Sequence, residues 1–103
     1  HGRTFGGMAA TGQVKIRDGF DPLPQGFSYC DYNDVDMLKG MVNEHTAAIM
    51  LEPVQGEGGI YPVSARFMRN ARELCDTFDC LLILDEVQSG IGRTGKLFAY
   101  EYF

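Results

Sequence analysis

The chain has 103 residues, of which 45% are hydrophobic, and its formal net charge at pH 7 is −5. A chain of this length can bury one hydrophobic core but not two. The negative charge argues against nucleic acid or an anionic membrane as a partner, and no apolar run approaches the roughly 20 residues that a membrane-spanning helix needs. Three cysteines and two histidines without metal-ligand spacing predict reduced thiols, a cytoplasmic protein and no metal site.

The first part of the chain predicts short elements separated by loops. A weak helix is expected over Phe5–Thr11 and a short strand over Phe27–Cys30, with a Gly- and Pro-containing loop between them. A helix then extends to about Asn43, capped by either Asn33 or Asp34.

The second part predicts a βαβ unit, which is the building block of an α/β fold with a mostly parallel sheet. Ala47–Leu51 is an apolar run typical of a buried strand. Ser64 is a candidate N-cap for a helix that ends near Phe78. The apolar stripe of this helix consists of Phe67, Ala71, Leu74, Cys75 and Phe78. Cys80–Leu84 is a second apolar run, which we expect to be a strand buried on both faces.

Two carboxylates follow the two predicted strands directly. Glu52 ends the first strand and Asp85 ends the second, and a glycine-rich loop, Gln55–Gly59, follows Glu52. Because parallel strands end at the same edge of a sheet, these side chains should meet at one polar site, where α/β proteins bind ligands. A carboxylate at the end of an apolar strand is costly to desolvate unless a cation pairs with it.

Two kinds of site are compatible with Asp85 from the residues alone. In nucleotide hydrolases of the P-loop class, an acidic strand end holds Mg²⁺, and Gly90–Lys96 matches the first seven positions of the phosphate-binding motif. Leu97, however, stands where that motif needs a hydroxyl. Alternatively, Asp85 could pair with the ring nitrogen of pyridoxal 5′-phosphate (PLP), with Val87 against the ring and Gln88 near its phenolic oxygen.

Three segments in order resemble the class III, or ornithine-type, PLP-dependent aminotransferases. They are His1–Thr4, Glu52–Gly59 and Leu84–Gly95, and the resemblance extends over essentially the whole chain. It is greatest to the acetylornithine branch of that family. The resemblance implies that residues 1–103 are the central, incomplete part of the PLP-binding large domain of a fold-type I transferase. This domain would have flanking helices on a mostly parallel sheet. The resemblance also implies that the full protein is a homodimer.

The resemblance also implies roles for the cofactor-binding residues. Asp85 would pair with the pyridine nitrogen of PLP, Val87 would lie behind the ring, and Gln88 would point toward the ring oxygen. Glu52 would lie close to the cofactor. His1 follows the position of the aromatic residue that stacks on the ring, and is therefore placed beside the cofactor as well.

Substrate-binding roles are implied for two further residues. Arg3 is expected to bind a substrate carboxylate, since a guanidinium binds carboxylates with two hydrogen bonds. Glu57 would shield a substrate-binding arginine and swing aside for a dicarboxylate. No catalytic residue is expected within the chain, because its lysines are in the wrong contexts to be the family's Schiff-base lysine. They are Lys15, Lys39 and Lys96. We therefore expect the chain alone to be inactive.

The implied reaction transfers the side-chain amine of N-acetylornithine to 2-oxoglutarate, a step of arginine biosynthesis. Ornithine, 4-aminobutyrate and succinyl-diaminopimelate transaminases share the same motifs, so these amino donors stay open. A non-catalytic module that uses the same fold, or a P-loop-like NTPase fragment, is the alternative from a different class.

Overall fold

The structure is a computed structural model that describes residues 2–103, so His1 lies outside it. Its helices are α1 (Phe5–Ala10), α2 (Val14–Arg17), α3 (Val35–Met41) and α4 (Ala65–Phe78), followed by a short 3-10 helix at Ala99–Tyr102. Its strands are β1 (Ala48–Leu51), β2 (Val54–Gln55), β3 (Tyr61–Pro62) and β4 (Leu81–Leu84). Strand β1 pairs with β4, and β2 pairs with β3 in a small antiparallel hairpin.

The predicted βαβ unit is confirmed as the centre of the fold. Strands β1 and β4 are parallel, and their register joins Ala48 to Leu81 and Leu51 to Leu84. Helix α4 connects the two strands through the chain and packs on both of them. The α/β class predicted from the sequence is therefore correct.

Helix α4 begins and ends as its sequence indicates. The hydroxyl of Ser64 accepts a hydrogen bond from the backbone N–H of Phe67 at 3.1 Å, which is the predicted N-cap. At the other end Asp79 adopts the left-handed conformation with φ 51°, and the N–H of Cys80 donates to the carbonyl of Cys75 at 3.0 Å. This turn leads the chain straight into β4. Within residues 2–103 no helix is both long and apolar enough to cross a membrane.

The hydrophobic core lies on one side of the β1–β4 sheet. Its centre is the buried face of α4, which includes Phe67 and the completely buried Ala71. Val35 and Leu38 of α3 and Ile49 of β1 belong to the same cluster. The burial of these side chains against α4 is what fixes the two strands relative to the helix.

The prediction that the Cys80–Leu84 run is buried on both faces is wrong for the described residues. Leu82 and Leu84 pack against the core, but Leu81 is 67% exposed and Ile83 is 41% exposed. Met50, the partner of Ile83 in β1, is 55% exposed. Helix α4 covers one face of the sheet, and no element among residues 2–103 covers the other. We call Met50, Leu81 and Ile83 the open face.

The segments before α3 differ more from the sequence-based expectation. Helix α1 is confirmed, but α2 occupies a stretch predicted to be loop. No strand forms at Phe27–Cys30, because within residues 2–103 no strand pairs with it to complete its hydrogen bonds. Instead the hydroxyl of Tyr29 donates to the carbonyl of Ala9 at 2.6 Å and ties this segment to α1.

Candidate functional site

The parallel pairing of β1 and β4 brings the two strand-end carboxylates to one edge of the sheet. The backbone N–H of Asp85 donates to the carbonyl of Leu51 at 2.9 Å, so the ladder continues to the point where Glu52 leaves β1. Glu52 and Asp85 are both half-buried. The shared edge predicted from the sequence is therefore confirmed, and we call it the carboxylate edge.

The carboxyl group of Glu52 lies among like charges. Burial raises its pKa, and the negative charges of Asp85 and Glu57 raise it further, although the N–H of Gly56, 3.5 Å from Oε2, acts in the opposite direction. A positively charged ligand group would relieve this repulsion. Among residues 2–103 no three His, Cys, Asp or Glu side chains are arranged to hold a metal ion.

Asp85 is held by the turn that follows β4. Its Oδ1 accepts a hydrogen bond from the backbone N–H of Val87 at 3.0 Å, which is an Asx-type turn. The turn directs the chain away from the strand and leaves the Val87 side chain 79% exposed. A ligand at the carboxylate edge would therefore find both the carboxylate and an apolar surface.

The glycine-rich loop and the turn after β4 meet at Gly56 and Gln88. A Cβ atom added to Gly56 would overlap Oε1 of Gln88 and lie 2.7 Å from its Cδ. The absence of a side chain at Gly56 is thus what allows Gln88 to lie over the loop. This contact places Gln88 next to the loop that carries Glu57.

Replacing Gly56 by Ala tests this contact through the free energy of unfolding. Gly56 has no left-handed φ, so in a Gln88→Ala background the substitution should stabilise the protein by about 0.4–1 kcal/mol through reduced entropy of the unfolded chain. With Gln88 present the gain should vanish, because the amide must move aside. Urea unfolding of the four proteins of this double-mutant cycle measures the difference. Equal effects in both backgrounds would show that the two residues do not touch.

Tyr32 and Asn33 hold both ends of the loop that begins at Glu52. The hydroxyl of Tyr32 donates to the backbone carbonyl of Glu52 at 2.7 Å. The side chain of Asn33 donates to the carbonyl of Pro62 at 3.2 Å and accepts from the N–H of Ser64 at 2.7 Å. The sequence indicates Asn33 only as a helix cap and gives no signal at Tyr32, because nothing local shows which distant carbonyls these side chains reach.

The environment of Tyr32 predicts a loss of stability at high pH. Burial, and then the negative charge of Glu52, raise the pKa of Tyr32 from 10.0 to about 12. As the pH rises, the Tyr32 hydroxyl therefore loses its proton in the unfolded chain before it does so in the folded one. The contribution of the protonated hydroxyl to the free energy of unfolding is complete below pH 10.0 and is lost as the pH rises toward about 12. Unfolding free energies of the native protein and of Tyr32→Phe, measured from about pH 9 to about pH 11, should converge. Parallel curves would contradict the assignment.

The segment Gly90–Lys96 does not form a phosphate-binding loop of the P-loop class. Such a loop leads directly into a helix whose N-terminus faces the phosphate. Here the segment consists of turns, with left-handed backbone at Ile91, Gly92 and Gly95, and only a 3-10 helix follows. The nucleotide-hydrolase interpretation is therefore not supported.

Comparison with protein families tests the resemblance that the three motifs indicate. The family model described as "Aminotransferase class-III" matches residues 1–103. The chain belongs to the class-III aminotransferases. The family that the motifs predicted is thus confirmed.

Curated relatives of this class-III aminotransferase chain are named acetylornithine aminotransferase. The relative from Bacillus cereus is 54% identical over 101 residues, covering 98% of this chain and 26% of the relative. The relative from Methanocaldococcus jannaschii is 52% identical over 103 residues, covering 100% of this chain and 26% of the relative. The chain thus spans about a quarter of the length of these relatives.

Solved structures agree with the class-III aminotransferase fold. An ornithine aminotransferase from Toxoplasma gondii superposes with a TM-score of 0.89 at 36% identity, covering 97% of this chain and 24% of that one. An N-acetylornithine aminotransferase from Stenotrophomonas maltophilia gives a TM-score of 0.70 at 50% identity, and the match covers 77% of this chain and 22% of that one. A second Toxoplasma gondii structure has PLP at partial occupancy at its active site.

The structure of the class-III chain brings together four of the seven residues singled out from the sequence. Glu52, Glu57 and Asp85 share the carboxylate edge, and Gln88 lies over Gly56 beside them. The other three are Val87, which is exposed in the same turn, Arg3, which is exposed before α1, and His1, which lies outside the described residues. Their contacts with a cofactor or a substrate stay predictions.

Proposed function

We propose that the full protein is a PLP-dependent aminotransferase that transfers the side-chain amine of N-acetylornithine to 2-oxoglutarate, and that residues 1–103 are the central part of its PLP-binding large domain. The observation that carries the proposal is the parallel pairing of β1 and β4, which places Asp85 beside Glu52 at one edge. The names of the relatives support the amino donor. The reaction would belong to arginine biosynthesis in the cytoplasm, an environment that suits the chain's three free cysteines.

The residues at the carboxylate edge fit PLP. The crowding of Glu52, Glu57 and Asp85 favours a ligand with a positive group, and a protonated pyridine nitrogen is such a group. When bound, PLP supplies an electron sink for the reacting amine. Asp85, as an ionised carboxylate at the end of β4, would hold the proton on the pyridine nitrogen.

The neighbouring residues would orient the cofactor ring. Val87, largely exposed, is available to pack on the face of the ring. Gln88 would hydrogen bond to the phenolic oxygen, and its place over Gly56 keeps it near the edge. Glu52 would lie close to the ring, and His1 would sit next to it.

Substrate recognition would involve one residue of each charge. Arg3 would bind a substrate carboxylate, and Glu57, on the exposed glycine-rich loop, would alternate between two positions as monocarboxylate and dicarboxylate substrates exchange. We place both residues by family resemblance. We also infer a homodimer as the working form of the full protein.

Ornithine is the second candidate donor. It is favoured by one observation, the TM-score of 0.89 to a structure named ornithine aminotransferase. That structure is 36% identical to the chain, whereas the acetylornithine aminotransferase from Bacillus cereus is 54% identical, so the sequence comparison favours N-acetylornithine.

Steady-state kinetics of the full-length protein test the proposal. The protein, loaded with PLP, is assayed with 2-oxoglutarate and four donors: N-acetylornithine, ornithine, 4-aminobutyrate and succinyl-diaminopimelate. We expect the highest kcat/KM for N-acetylornithine. A higher value for another donor would overturn the donor assignment alone. Transfer of the amine from none of them would overturn the aminotransferase function and leave the non-catalytic module.

A further inference from the structure

The carboxylate of Glu86 accepts three hydrogen bonds, one from Ser89 nearby and two from the far end of the loop that follows β4. Its Oε2 accepts from the Ser89 hydroxyl at 2.8 Å and from the N–H of Ala99 at 2.9 Å. Its Oε1 accepts from the N–H of Tyr100 at 2.9 Å. Both oxygens are therefore in use, and every donor comes from the same loop or the helix that ends it.

These bonds close a loop that starts at the carboxylate edge. Ser89 and Ala99 are each 3% exposed, so the two bonds to Oε2 lie in a partly buried contact, whereas the bond from Tyr100 to Oε1 is at the surface. The N–H of Gly90 also donates to the carbonyl of Glu86 at 2.8 Å. A Cβ on Gly90 would lie 2.8 Å from that carbonyl oxygen and 3.3 Å from the Phe98 ring. The backbone around Glu86 is thus packed without spare room.

Glu86 stands between the residues that the proposed function assigns to the cofactor. Asp85 precedes it, Val87 follows it, and Gln88 is the next residue. Because the side chain of Glu86 is bonded to Ser89, Ala99 and Tyr100, it limits the directions in which its two neighbours can leave the strand.

We propose that Glu86 is a positioning residue for the PLP site: its ionised carboxylate closes the loop of residues 86–100 and thereby holds Asp85, Val87 and Gln88 in the geometry that binds the cofactor. The inference rests on the proposed function. In this role Glu86 acts through its neighbours, because both of its carboxylate oxygens are bonded within the protein.

A carboxylate is required at position 86 because both of its oxygens must accept hydrogen bonds from backbone N–H groups. Glutamine has one acceptor oxygen and one donor nitrogen. If its oxygen faces Ala99, its nitrogen meets the N–H of Tyr100; if it is turned over, its nitrogen meets the N–H of Ala99. Either orientation sets a donor against a backbone donor, which disrupts the loop closure.

The matched control is Glu101, a glutamate of the 3-10 helix that follows the loop. Glu101 accepts one hydrogen bond, from the N–H of Phe98 at 2.7 Å, through a single oxygen. Glutamine can keep that bond, so Glu101→Gln makes the same chemical change and removes the same charge without the conflict between donors. It is not part of the proposed cofactor site.

The experiment measures PLP binding and thermal unfolding in the full-length protein. We expect Glu86→Gln to weaken PLP binding by about tenfold, which corresponds to the loss of about one hydrogen bond of loop closure, while Glu101→Gln stays within about twofold of the native value. Equilibrium dialysis gives the Kd of PLP, and the Tm of the protein without PLP reports the stability of the fold. A lower Tm with an unchanged Kd would make Glu86 merely structural and would overturn the proposal.

Two further arms separate the possible failures. If Asp85→Asn leaves both PLP affinity and turnover unchanged, the proposed function fails. If Asp85→Asn lowers PLP affinity and turnover but Glu86→Gln does not, only the positioning role of Glu86 fails. Should Glu86→Gln not fold, Ser89→Ala removes one of the three donors and leaves the carboxylate in place. It should then weaken PLP binding about two- to threefold, and an unchanged Kd would overturn the inference.

Discussion

Replacing Asp85 by Asn in the full-length protein should lower kcat by about 10²–10³-fold, which is the usual effect of removing one preorganised electrostatic contact from an active site. Asn has the same shape, and its side-chain oxygen can still accept the hydrogen bond from the N–H of Val87, now 3.0 Å from Oδ1. The turn after β4 is therefore kept. The change removes only the negative charge that would hold the proton on the pyridine nitrogen of PLP.

Steady-state turnover at saturating substrate and saturating PLP measures this effect, so that weaker cofactor binding is not mistaken for slower chemistry. Asp79→Asn is the matched control, because Asp79 stands at the other end of β4, is exposed, and has the left-handed conformation that Asn adopts readily. It should leave kcat unchanged. Undiminished turnover of Asp85→Asn would refute the assigned cofactor contact.

The largest effect on stability is expected from Phe67→Ala. Phe67 is 3% exposed in the centre of the core, and its loss should lower the free energy of unfolding by about 3–5 kcal/mol through lost apolar burial and the cavity left behind. The ring also lies 6.3 Å from that of Tyr32, centroid to centroid. Because Tyr32 holds the backbone of Glu52, the cavity should loosen the carboxylate edge as well.

Urea unfolding of the full-length protein tests this expectation, provided that the domain containing these residues gives its own transition. Arg69→Ala is the control on the same helix, since Arg69 is exposed and its removal should change the free energy by less than about 0.5 kcal/mol. A similarly small change for Phe67→Ala would mean that Phe67 is not at the centre of the core.

The βαβ unit could be predicted because each of its signals is local. Four apolar residues in a row mark β4, the capping hydroxyl of Ser64 marks the start of α4, and apolar residues at helical spacing mark the buried side of that helix. The failed strand at Phe27–Cys30 has the opposite cause. A strand depends on a neighbour that its own sequence does not specify.

The candidate site, like the fold, could be predicted only where its signals are local or follow from the direction of the strands. That Glu52 and Asp85 meet follows from the shared direction of two parallel strands, which the order of apolar runs and the intervening helix already imply. The contacts of Tyr32 with Glu52, of Gly56 with Gln88 and of Glu86 with the loop after β4 could not be predicted, because they join positions whose separation in the chain follows no period. Only the folded geometry brings these groups within hydrogen-bonding or van der Waals distance.

The pairing register of β1 and β4 has a consequence for how such a protein can change over evolution. Side chains in β4 point alternately to the core and to the open face, so one residue inserted into the strand would exchange the two sides. It would also turn Asp85 away from Glu52. Length changes in β4 should therefore be excluded.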